Sequence, residues 1–133
     1  MKLTRYSWAF CGVLLVGAGA VLAAESSAIE KIMEKGFKKG GVRHQLTTEI
    51  EKNSPNWEKV QKNTKEFSQL CDELCKQTPP KGEKDHWTKL TGTMAQNAKK
   101  LEDLAAKKDQ ANVKAIMSKI NGSCKDCHDV HRE

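Results

Sequence analysis

The stretch DQANVKAIMSKINGSCKDCH, residues 109–128, governs how the rest of the chain is interpreted. Its apolar residues recur at spacings of three and four, which is the period of a helix with one buried face, and Asp109 is placed to cap that helix. After Ile120 the same spacing continues through Cys124 and Cys127. We therefore predict a helix on which the motif at its end lies on the same core-facing side as the apolar residues.

Three further helices are predicted upstream from the same signals. No segment alternates with the period of a strand, and the three prolines lie at junctions. The predicted spans are residues 26–39, 54–77 and 85–108. Ser54 is expected to cap the second, with Pro55 in its first turn, while residues 42–52 are compatible with a short helix or a loop. Four amphipathic helices with short connections bury their apolar faces best as an all-α, antiparallel four-helix bundle.

The bulk composition excludes several classes of protein. The chain has 133 residues, which suggests one domain, and its formal net charge is +6. Aromatic residues make up only 5% of the sequence and do not alternate with basic ones, so a nucleic-acid-binding protein is not indicated. No paired carboxylates, Ser–His arrangement or phosphate-binding loop is evident, so no enzymatic activity is predicted and no catalytic residue is assigned.

The N-terminus has the plan of a secretory signal peptide. Two basic residues precede an apolar run that ends in small residues, and we predict cleavage after Ala23 or Ala24. Residues 1–24 then form the signal peptide and residues 25–133 the mature, periplasmic domain, with no stable membrane insertion after cleavage. An uncleaved anchor is the alternative, although the run of 17 residues is at the short limit for crossing a bilayer.

Cys124, Cys127 and His128 form a C-x-x-C-H motif. Cysteines at positions i and i+3 of a helix present both sulfurs on one side, where they can add to the two vinyl groups along one porphyrin edge. The histidine that follows then supplies an axial ligand to the iron. The motif therefore predicts one covalently attached haem c, held through Cys124 and Cys127, with His128 as iron ligand.

Other uses of a C-x-x-C pair fit this sequence less well. A thioredoxin-like pair begins a helix in a β-α-β setting, whereas this pair comes at the end of a helical sequence. A zinc site needs further ligands, for which Cys71, Cys75 and His131 are poorly spaced. Cys71 and Cys75 are expected to be small buried residues, with a redox-labile pair or an intermolecular bridge as the alternative.

A single such motif at the end of the fourth helix of an exported bundle resembles the cytochrome c′ family and its low-spin, methionine-ligated relatives. The resemblance covers the mature chain in layout and is sharp at CKDCHDVHR, residues 124–132. It implies that Arg132 lies near the haem edge or a propionate, where the alternative is a solvated cation at the helix end. A homodimer is compatible with the family, but the sequence does not indicate one.

The resemblance also implies that the iron's sixth position faces the first helix. Met33 is the methionine on that helix and is the candidate second ligand, although the arginine that the family usually has a few residues earlier is missing. A packing role for Met33 is the alternative, and His44 is the next candidate ligand. His86 and His131 are expected at the surface.

Two functions are possible, depending on whether a residue occupies the sixth coordination position of the iron. With Met33 bound, the protein is an exported monohaem c-type cytochrome that carries single electrons between redox partner proteins. Without a ligand there, it is a five-coordinate, cytochrome c′-like binder of small gases such as nitric oxide or carbon monoxide.

Overall fold

The computed structural model describes the backbone of residues 18–132 and the side chains of residues 27–132. Within these residues the chain is helical and contains no strand, which confirms the all-α prediction. Its helices are α1 (Ala18–Gly36), α2 (Val42–Ile50), α3 (Trp57–Cys75), α4 (Lys84–Ala106) and α5 (Gln110–His131). Most of the predicted signal peptide lies outside the described residues, so that boundary stays a prediction. None of the described helices has both the length and the hydropathy needed to cross a membrane.

The long helices α1, α3, α4 and α5 form the expected four-helix arrangement, and α2 is a short addition. α3 packs along α4 and α4 along α5, while α2 contacts α1, α3 and α5. α1 packs on α2 and α3, and in the described chain none of its Cα atoms comes within 8 Å of a Cα atom of α4 or α5. A gap therefore separates the first helix from the last.

α1 differs from the predicted first helix at both ends. Its described part already includes Ala18, eight residues before the predicted start at residue 26, and it ends at Gly36 rather than near residue 39. It ends early because the backbone N–H groups of Phe37 and Lys38 both donate to the carbonyl of Met33, each at 2.9 Å, which closes the last turn.

The start of α3 corrects a second prediction. The cap is Asn56 rather than Ser54, because Asn56 Oδ1 accepts the backbone N–H of Lys59 at 3.1 Å. The backbone N–H of Asn56 in turn donates to Glu49 Oε1 at 3.0 Å. Glu49 is buried at the end of α2, the segment that the sequence left open between helix and loop. This carboxylate therefore fixes the point at which α3 starts.

The start of α5 agrees with the prediction. Asp109 caps it, with Oδ1 accepting the backbone N–H of Asn112 at 3.1 Å. Gln110 Nε2 donates to the carbonyl of Ile50 at 2.7 Å and to that of Lys52 at 2.9 Å, which ties α5 to the end of α2. We call this end of the bundle, residues 49–56 with residues 105–113, the closed end.

Candidate haem site

A cleft of about 600 Å³ lies between α1 and the last turns of α5. From α1 and the turn after it, the cleft is lined by Ile29, Glu30, Met33, Glu34, Phe37 and Lys38. From the rest of the chain, it is lined by Pro80, Trp87, Cys127, His128, His131 and Arg132. The cleft exists because α1 packs against α2 and α3 and makes no close contact with α5 in the described residues.

Four of the five predicted site residues line this cleft: Met33 from α1, and Cys127, His128 and Arg132 from the other side. The fifth, Cys124, is half-buried one turn earlier on α5, with its Sγ 3.5 Å from the carbonyl oxygen of Ile120. The fold thus brings the methionine of the first helix to the side of the cleft across from the motif. His44, the second candidate ligand, is exposed on α2 and does not line the cleft.

The motif lies on a helix as predicted, but its exposure differs from the prediction. Cys124 and Cys127 are half-buried, while His128 is exposed instead of facing the core. His128 is uncovered because the side of α5 that carries it borders the cleft rather than a neighbouring helix. Burial, and then the nearby Cys124, raises the pKa of the Cys127 thiol, so this group stays protonated at neutral pH.

The residues around the cleft suit a haem. Its volume of about 600 Å³ falls within the range of about 300–1,000 Å³ that is usual for cofactor and ligand sites. Ile29, Phe37 and Trp87 offer apolar surface for the faces of a porphyrin. The cations Lys38 and Arg132 also border the cleft, where charge-assisted bonds to propionate groups are available.

The other cysteine pair lies in α3. Cys71 is fully buried, as expected, and this burial, followed by the charge of Asp72, raises its pKa to about 12, so it is an unreactive thiol. Cys75 is half-buried, and both are free thiols. No Cα atom of α3 lies within 8 Å of α5, so a disulfide from Cys71 to Cys124 would require movement of the backbone.

The zinc alternative finds no support in the described residues. They contain no group of three or more histidine, cysteine or acidic side chains arranged to hold a metal ion. His131, its third candidate ligand, makes hydrogen bonds to Lys81 and His86 instead.

His131 is also the residue that sequence reasoning misplaced. The sequence assigned it to the surface, yet it is among the most completely buried side chains. No sign of this burial is visible in the sequence, because the partners of His131 are 45 to 50 residues away: His86 in the first turn of α4 and Lys81 in the α3–α4 connection. His86, also assigned to the surface, is exposed as expected.

Comparison with known proteins agrees with the site. Residues 82–132, which include α4, α5 and the motif, match the family described as Cytochrome C'. The match covers 51 of the 133 residues and supports the resemblance that the motif indicates. Proteins of that family carry covalently bound haem c and are typically periplasmic. No curated protein and no solved structure matches the chain at a significant level.

Proposed function

We propose that this protein is a cytochrome similar to the cytochrome c′ family and an exported carrier of single electrons, with one haem c attached through Cys124 and Cys127 and ligated by His128 and Met33. The observation that carries the proposal is the position of Met33, which lines the same cleft as Cys127 and His128 but on the opposite helix. His128 and Met33 would supply an imidazole and a thioether to the iron, which is the ligand set of electron-carrying cytochromes.

Bound haem would supply an iron that accepts and releases one electron, and the chain's own residues hold and shield it. Thioethers at Cys124 and Cys127 would prevent loss of the group, and Ile29, Phe37 and Trp87 would exclude water from it. Burial and the axial ligands are the means by which a protein sets the reduction potential. Because His128 lies on an exposed part of α5, a redox partner protein can approach this side of the cleft.

Arg132 and Lys38 are proposed to face the haem propionates. Arg132 follows α5 directly, with its backbone N–H donating to the carbonyl of His128 at 3.3 Å. Lys38 donates to Glu34 Oε1 at 2.6 Å, across an exposed pair on the α1 side. Both cations are exposed, so each contributes only weakly to binding.

Gas binding is the second candidate function. Ile29 and Phe37 flank Met33 in the cleft wall, and this wall is apolar enough to hold a small neutral gas if the thioether does not bind iron. The periplasmic location and cleavage after Ala23 or Ala24 belong to both proposals. They are supported by the N-terminal pattern and by the usual location of the family.

Visible spectra of the full chain, produced with c-type haem maturation, test the choice between the two. Met33→Leu removes the sulfur at similar volume, and Met117→Leu is the matched control, since Met117 is buried in α5 away from the cleft. We expect a low-spin wild type whose weak red band from sulfur–iron ligation disappears in Met33→Leu and persists in Met117→Leu. A high-spin wild type that binds carbon monoxide would instead support gas binding.

A further inference from the structure

His131 occupies an unusual position for a buried polar residue. It is the last residue of α5 and is 2% exposed, whereas its neighbour Val130 is 38% exposed and Arg132 is exposed as well. The final turn of a helix usually frays unless something holds it. A buried imidazole at this point therefore needs specific partners.

Both ring nitrogens of His131 have partners. Nδ1 lies 2.7 Å from the carbonyl oxygen of Lys81, and Nε2 lies 2.9 Å from Nδ1 of His86. A carbonyl can only accept, so Nδ1 of His131 carries a proton, and in the neutral ring Nε2 accepts the N–H of His86. The two imidazoles also stack, with ring centroids 5.1 Å apart. We call His131, His86 and the Lys81 carbonyl the His131 clamp.

The surroundings of the ring are shaped to receive it. A Cβ atom at Gly82 would lie 2.8 Å from Nδ1 of His131, and the φ of Gly82 is +82°, so glycine alone lets the connection close over the imidazole. Trp87 meets His131 edge-on, at a centroid distance of 5.3 Å. Trp87 is itself fixed, since its Nε1–H donates to the carbonyl of Gln77 at 2.9 Å.

The clamp borders the cleft. His131 and Trp87 both line it, together with His128, which lies one turn before His131 on α5. The other side chains of that turn are exposed: Asp129 pairs with Lys125 on α5 itself, and Val130 lies at the edge of the α3–α4 connection beside Gly82. After His128, His131 is the residue of α5 that is buried and hydrogen-bonded to other segments of the chain.

We propose that His131 is a positioning residue for the haem site, which rests on the proposed function in which His128 ligates the iron. Its two hydrogen bonds hold the last turn of α5 against α4 and the α3–α4 connection. That restraint sets the orientation of the His128 ring in the cleft. His131 itself does not ligate the iron.

Four variants of the full chain with haem attached separate the bonds of the clamp. His131→Phe removes both bonds and keeps an aromatic ring, His131→Asn retains a donor toward Lys81, and His86→Phe removes the histidine pair alone. Glu49→Gln is the control for a general loss of stability, because Glu49 is a buried, hydrogen-bonded residue of the closed end. The readouts are the electron paramagnetic resonance spectrum of the oxidised haem, which reports ligand orientation, and amide hydrogen exchange at residues 128–131.

We expect His131→Phe to shift or broaden the resonance spectrum and to speed exchange at residues 128–131 about tenfold, as the loss of two hydrogen bonds implies. His131→Asn and His86→Phe should give smaller shifts, and Glu49→Gln should leave the spectrum unchanged. A wild-type spectrum and unchanged exchange in His131→Phe would overturn the proposal. If His131→Phe does not fold, unchanged spectra in the other two clamp variants would overturn it equally. If the wild type carries no haem, the proposed function fails, while the exchange data still decide whether the clamp holds the helix end.

Discussion

The two halves of α5 share one sequence pattern but differ in what covers them. In residues 110–120 the apolar positions are buried; they are Val113, Ile116, Met117 and Ile120. In residues 121–131 the same spacing continues through Cys124 and Cys127, yet these are half-buried and His128 is exposed. The first half begins at the closed end, while the second half borders the cleft that separates it from α1. In its second half, α5 keeps the spacing of a core-facing helix where no other helix of the described chain covers it. This marks the place where a cofactor can complete the core.

The largest effect is expected from the cysteines of the second half. The double change Cys124→Ala and Cys127→Ala should abolish covalent haem attachment, because both thioethers are lost. Cys75→Ala is the matched control, since Cys75 is also half-buried but lies outside the motif. Haem staining after denaturing electrophoresis measures the outcome. Staining that survives the double change, or is lost with Cys75→Ala, would contradict the assignment of the motif.

The two halves of α5 should also differ in their effect on stability. Ile120 is fully buried in the first half, so Ile120→Ala should lower the free energy of unfolding by about 2–5 kcal/mol. Val130 is exposed in the second half, so Val130→Ala should change it by less than about 0.5 kcal/mol. Urea unfolding measures both. If Ile120→Ala and Val130→Ala lowered the free energy of unfolding by similar amounts, the second half of α5 would be as buried as the first, against this account.

The closed end should make stability depend on acidity. The hydrogen bond from Lys52 and the backbone N–H of Asn56 hold the pKa of Glu49 at about 2, below its ordinary 4.5. Since the folded pKa is the lower one, this stabilisation is complete above pH 4.5 and is lost as the pH falls toward 2. Thermal unfolding of Glu49→Gln should therefore begin at a lower temperature than that of the wild type at pH 7, and the difference should close in acid. If the unfolding temperatures of the wild type and Glu49→Gln differed by the same amount at every pH, the ionised Glu49 side chain would not be the source of this stability.

The smallest effect is expected at Gly122, between the two halves. A Cβ atom there would meet nothing within 4 Å in the described chain, so no neighbouring helix requires the glycine. Gly122→Ala should then raise the free energy of unfolding by about 1 kcal/mol through helix propensity alone. A loss of stability in the protein with haem attached, but not in the protein without it, would show that the haem approaches this position closely.

The sequence predicted those parts of the molecule that depend on local signals. Helix periodicity located α3, α4 and α5, and the Asp109 cap was confirmed because its hydrogen bond spans only three residues. The C-x-x-C-H spacing identified the motif, and the resemblance to the family singled out Met33. Met33 lines the cleft with two of the three motif residues.

The remainder depends on contacts between distant segments, which a single sequence does not display. Asn56 rather than Ser54 caps α3 because the buried carboxylate of Glu49 accepts a hydrogen bond from the backbone N–H of Asn56. His131 is buried because Gly82 lets the α3–α4 connection fold over it. His128 is exposed because α1 packs on α2 and α3 and leaves this side of α5 uncovered. The periodicity of α5 carries no information about the position of α1.

The most direct test of the central claim is the intact mass of the protein after export and c-type maturation. We predict a chain that begins after residue 23 or 24 and carries the added mass of one haem, retained under denaturing and reducing conditions. A chain of the processed length without added mass would contradict the haem assignment, and the mass of two haems would contradict the single site at Cys124 and Cys127.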